Sequence, residues 1–136
     1  MRHAVQSSLA AALALVLAAN AAAMLFASVW WYGVVPGVVA TGPYNAHFIK
    51  DIGATYLVVA GALAAFALRP AVAWPALVAA TAFLTLHGFI HIADALASPV
   101  CGADLVRDFP GVFLPALICL GLLAAFLPKQ KELLHA

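Results

Sequence analysis

Apolar residues gather in four long runs, at about 8–33, 45–68, 71–97 and 109–127, each near the roughly 20 residues that cross a bilayer as a helix. Glycine and proline mark the breaks. "VVPGVVATGP" separates the first two runs, "RPAVAWP" makes a tight turn after the second, and "SPVCGADLVRDFP" joins the third to the fourth. The pattern predicts an all-α protein: one domain over 1–136, built as an integral-membrane bundle of four helices.

Composition agrees. Of 136 residues, 67% are hydrophobic and 8% charged, against about 45–50% and about 25% in soluble domains. The net charge of +1 leaves no basic face for nucleic acid. The expected partner is the lipid bilayer. The opening "MRHAVQSSLAAALALVLAANAAA" also has the basic start, apolar stretch and small residues of a signal peptide. The run continues through "MLFASVWWYG" without a polar break, so a retained first helix is expected.

Four crossings put Arg2, Arg69, Lys129 and Lys131 on one side and Lys50 and Arg107 on the other. By the positive-inside rule both termini are then cytoplasmic. Asp51, Asp94, Asp104 and Asp108 all fall toward the outer face. Trp30, Trp31 and Tyr32 suit the outer interface and Trp74 the inner one.

The polar residues inside the runs carry the candidate chemistry. "HGFIHIAD" places His87, His91 and Asp94 on one helix face, and "GPYNAHFIKDIGATYL" places His47, Asp51 and Thr55 on another, with Asn45 as N-cap. At about 1.5 Å rise per residue, His47 levels with Asp94, Asp51 with His91 and Thr55 with His87, at depths of ~3–5, ~9 and ~15 Å. A short 68–71 connection makes the two helices antiparallel neighbours. Two readings follow. His47, Asp51, His87 and His91 form a three-histidine, one-carboxylate set suited to zinc, iron or copper, with Asp94 or Asp108 in reserve. Alternatively, the His–Asp pairs satisfy one another as a proton-handling network or a polar clasp between helices. Haem fits less well, because the second helix offers only His47, which is shallow; a quinone pocket is a further minor alternative.

Asp108, just before Pro110, reads as the cap of the fourth helix. Tyr44 and Tyr56 are potential donors into the site, though interfacial anchoring explains Tyr44 as well. Lys50 reads as snorkelling and Asn20 as an interhelical hydrogen bond. Cys101 and Cys119 are too far apart along a regular helix to bridge, which leaves Cys101 as a free thiol or an intermolecular link. Gly53 and Gly61, among alanines, are placed for close helix packing. Pro115 is expected to bend the fourth helix. "HFIKDIGA" and "HGFIHIAD" echo one another over 40 residues, without matching flanks. Transport through so few helices would call for a homo-oligomer or a membrane-protein partner.

The stretch from "WWYGVVPGV" through "TGPYNAHFIKDIGATYLVVAGAL" to "HGFIHIAD" resembles small bacterial four-helix membrane proteins and, more distantly, the DoxX group. The resemblance implies the fold and an inner-membrane location. The quinone and thiol redox work linked to that group is not implied residue by residue, because no paired thiols match. The expected function is a membrane protein with a His/Asp site near the outer face that binds a metal or handles protons, linked to redox or transport. The alternative is an accessory or scaffold protein in which those pairs only fix packing.

Overall fold

The computed structural model describes residues 2–134, with side chains described over 4–126. The side chains of Arg2, Lys129 and Lys131, on which part of the charge argument rests, lie outside the described residues. The described chain is helical, with elements α1 (Arg2–Phe26), α2 (Ser28–Val34), a 3-10 turn (Val38–Thr41), α3 (Ala46–Leu68), α4 (Pro70–Ala97), α5 (Cys101–Asp108), a π turn (Phe109–Phe113) and α6 (Leu114–Leu134). Four spans are long and apolar enough to cross a membrane: Ala4–Phe26, Ala46–Leu68, Pro70–Ala97 and Cys101–Phe126.

The helices pack in the order α1, α3, α4, α6, with α1 against α3 the most extensive contact and α1 against α6 a slight one. Their buried residues recur every three or four positions: Leu13, Leu17, Ala21 and Met24 on α1; Tyr56, Val59, Leu63 and Phe66 on α3; Leu77, Thr81, Leu84 and Gly88 on α4. This is a single packed face per helix. The outward faces are equally apolar, with Leu15, Val58, Leu68, Val72 and Leu86 all more than half exposed. In water such a belt would drive aggregation; in lipid it costs nothing, because the tails are as apolar as leucine. The chain is built as a multi-pass membrane protein.

Close approach explains the α1–α3 contact. A Cβ on Gly53 would lie 2.8 Å from Met24 Cβ and 3.4 Å from the Ala21 carbonyl oxygen. Gly53 is therefore the small residue that lets the two backbones meet. Gly61, expected to do the same, has open space around it; it lines a shallow apolar groove on the outer side of α1 and α3.

Two helix boundaries differ from expectation. The first run is not one helix: Ala27 adopts φ −135° and ψ 42°, which separates α1 from α2. The break lets Trp31 fold back, its Nε1 donating to Asn20 Oδ1 at 2.8 Å. The fourth span starts at Cys101 rather than near 109, and "CGADLVRD", expected in the connection, is α5. Pro110 and Pro115 lack the amide hydrogens of a regular ladder, and the chain passes them by a π turn closed by Leu114 N–H on the Phe109 carbonyl. The α3–α4 turn is as tight as expected: α3 ends at Leu68 and α4 begins at Pro70.

Candidate functional site

One end of the bundle carries α2, the 35–45 loop and α5; the α3–α4 turn lies at the other. The polar residues collect at this loop end, but not in the pairs that helical depth suggests.

On α3 the core-facing residues are Ile49, Gly53 and Tyr56. His47 and Asp51 each sit two positions from Ile49, about 200° around a helix, and so point away from the bundle. They pair with each other at 3.4 Å, with side chains 90% and 61% exposed. Thr55 returns its hydroxyl to the Asp51 carbonyl oxygen at 3.0 Å. Asp94 is exposed on α4. The cross-helix pairs His47–Asp94, Asp51–His91 and Thr55–His87 are therefore not formed. Asn45 caps α3 as expected, its Oδ1 accepting from Phe48 N–H at 3.1 Å. Tyr44 turns to Ser28, the two hydroxyls sharing a 2.8 Å hydrogen bond.

The carboxylate that meets His91 comes from α5. His91 Nδ1 and Asp108 Oδ2 are 2.7 Å apart, with Asp108 9% exposed. Asp108 is not a cap, because the helix has already run from Cys101 and its side chain makes no cap bond. Arg107 donates to the same carboxylate, from Nε to Oδ1 at 2.7 Å and from Nη2 to Oδ2 at 3.1 Å, and from Nη1 to Asp104 Oδ1 at 2.7 Å. All three guanidinium nitrogens are used. A buried carboxylate with a charged partner and a second donor meets the conditions for ionised groups at membrane depth.

His87 sits one turn deeper on α4. Its ring packs on Phe83, with centroids 6.0 Å apart and planes 6° from parallel. It meets Tyr56 edge-on at 5.9 Å and His91 at 4.7 Å. Tyr56, rather than Thr55, is the α3 residue at its level. Among the described residues no hydrogen bond holds either His87 nitrogen, whereas His91 is fixed through Nδ1. With Nδ1 protonated to donate to Asp108, Nε2 of His91 is left as a lone-pair acceptor.

The structure thus brings His87, His91 and Asp108 together, with Arg107, Asp104, Tyr56 and Phe83 around them. It does not bring in His47, Asp51, Thr55 or Asp94. Among the described residues no group of three or more His, Cys, Asp or Glu side chains is arranged to hold a metal ion. Arg107 is the residue of this cluster that the sequence shows least. Its signal is the spacing of Asp104 and Arg107 at i and i+3, a helical ion pair, obscured because Pro110 drew the helix start to 109. Cys101 and Cys119 are both free thiols.

No family model, curated protein or solved structure matches the chain.

Proposed function

We propose that this chain is a multi-pass protein of a bacterial inner (cytoplasmic) membrane whose His87–His91–Asp108 site handles protons near the extracytoplasmic face. The observation that carries the reading is the contrast between two histidines one turn apart. His91 is fixed on a buried carboxylate at 2.7 Å, and His87, 4.7 Å from it, has no hydrogen-bonding partner among the described residues. A clasp accounts for His91 and gives His87 no role. A relay needs one held in a set tautomer and a neighbour free to gain and lose a proton. Counted along the sequence with four crossings, Arg2, Arg69, Lys129 and Lys131 fall on one side against Lys50 and Arg107 on the other, and this excess supports placing the loop end outside and both termini in the cytoplasm. The DoxX-like resemblance is kept here for fold and location alone.

A second reading is favoured by the same bond. A carboxylate on one ring nitrogen is how metal-binding histidines are oriented, and it leaves His91 Nε2 beside His87 as a two-nitrogen site for zinc, iron or copper. Such a metal would need further ligands from a second chain or solvent.

The test is proton uptake into liposomes holding purified protein, driven by an acid step outside and read by an internal pH dye. His87→Ala and Asp108→Asn should abolish uptake at unchanged protein level. No uptake by the unmodified protein above empty liposomes removes the proton reading. Elemental analysis of the same preparation decides the second reading: stoichiometric metal lost in His91→Ala establishes ligation. If both assays are negative, the His91–Asp108 pair is left with the scaffold role of joining α4 to α5.

A further inference from the structure

Arg107 has a second neighbour that the His91–Asp108 site does not require. Gly37 lies in the loop between α2 and α3 at φ +86°, a left-handed conformation that disfavours side chains. A Cβ built on it would fall 2.5 Å from Arg107 Nε and 2.6 Å from Cζ. The guanidinium therefore occupies the space where a side chain at position 37 would stand, space that only glycine leaves open.

Hydrogen bonds within the loop and to α2 order the segment around Gly37. Ala40 N–H donates to the Gly37 carbonyl oxygen at 3.0 Å, and Thr41 Oγ1 to the Val38 carbonyl oxygen at 2.7 Å. Tyr32 donates its hydroxyl to the Gly42 carbonyl oxygen at 2.7 Å, and Tyr44 is fixed on Ser28. Tyr32 and Tyr44 also meet edge-on at 5.5 Å. A segment with this many anchors is a rigid strap rather than a slack connection.

We infer that residues 35–45 are a strap whose Gly37 seats Arg107 on Asp108, so that Arg107 is the latch that keeps Asp108 in place on His91. The strap holds the guanidinium from one side, while Asp104 and Asp108 hold it from the other. Between them stands a fixed positive charge, which repels cations and blocks direct water contact with the Asp108 carboxylate. Displacing the loop frees Arg107, and freeing Arg107 loosens the hold of Asp108 on His91 Nδ1. Gly37 and Arg107 are positioning residues: they act through Asp108. The inference rests on the His91–Asp108 site as the working site, but it concerns what holds that site in place rather than its chemistry.

The test is the rate at which diethyl pyrocarbonate modifies each histidine of the full chain in detergent, resolved by peptide mass spectrometry. His47, with its side chain 90% exposed, is the internal reference. In Gly37→Ala the added Cβ displaces the guanidinium, and His91 modification should rise about tenfold relative to His47, the scale of losing one charge-assisted hydrogen bond. Arg107→Gln should do the same without touching the loop, and Tyr32→Phe should give a smaller rise by loosening the strap at Gly42. Leu63→Ala, in the core, controls for general loosening: it should lower thermal stability and leave the His91-to-His47 ratio alone. Should Gly37→Ala fail to fold, Arg107→Gln and Tyr32→Phe decide. An unchanged ratio in the folded variants overturns the inference, as does an equal rise in Leu63→Ala. Proton uptake is read separately, so a chain without uptake but with the tenfold rise loses the relay and keeps the strap.

Discussion

His91 and Asp108 stand seventeen positions apart in the chain and 2.7 Å apart in space, Nδ1 against Oδ2, and they tie α4 to the short helix that opens the last crossing. That contact sets the rest of the site. It selects the His91 tautomer, gives Arg107 its anchor and leaves His87 as the neighbouring histidine without a bond.

Removing the shared carboxylate strands two donors at once. Asp108→Ala should lower the stability of the folded bundle by about 2 kcal/mol, since hydrogen bonds to charged groups are worth roughly that much and Arg107 is left beside an apolar gap. Thermal unfolding in detergent checks this, and Asp108→Asn should recover part of the loss by keeping an acceptor for Arg107. A stability equal to that of the unmodified protein in Asp108→Ala would contradict the contact.

The exposed pair on α3 should behave oppositely. His47 and Asp51 meet at 3.4 Å with both side chains largely uncovered. His47→Ala should then change stability by no more than about 0.5 kcal/mol. Unfolding curves of His47→Ala and His91→Ala, measured together, should separate clearly, with the second the less stable.

The two α3 glycines form a matched comparison. Gly53→Ala places a methyl 2.8 Å from Met24 Cβ and should destabilise by about 1–3 kcal/mol through overpacking. Gly61→Ala meets nothing within 4 Å and should be neutral or gain up to about 1 kcal/mol from helix propensity. A common effect of both would mean that α1 and α3 are not as close as described.

At the break after Phe26, Asn20 accepts from Trp31 Nε1 at 2.8 Å. Asn20→Ala should cost roughly 0.6–1 kcal/mol and shift Trp31 emission as the indole loses its partner. An unchanged spectrum in a Trp30→Phe, Trp74→Phe background would show that Trp31 does not fold back.

The helical runs were legible because each is a span-length stretch of apolar residues, and the α3–α4 turn because Arg69-Pro70 permits nothing longer. Asn45 was legible as a cap from Gly42-Pro43 before it. The break at Ala27 was not, since alanine, serine and valine carry no turn signal; it is stabilised by Trp31 reaching Asn20, a contact between positions eleven apart. The site was half legible. His87 and His91 were found by their spacing, but helical depth alone paired them with α3. Depth fixes level and says nothing of which way a face turns. The rotation of α3 is set by small residues, above all Gly53 against Met24, and that rotation sends His47 and Asp51 outward. Asp108 reads as a cap because Pro110 follows it and suggests a helix start, where a π turn instead carries an existing helix onward.

A proton-handling role requires His87 to exchange its proton beside a histidine fixed on a carboxylate. Imidazole nitrogen-15 spectra of the full chain across a pH series measure this directly. His91 should hold the Nδ1–H tautomer in the unmodified protein and lose that preference in Asp108→Asn, while the His87 signals move between neutral and protonated forms. A His91 with its proton on Nε2, or a His87 whose signals stay fixed across the series, would contradict it.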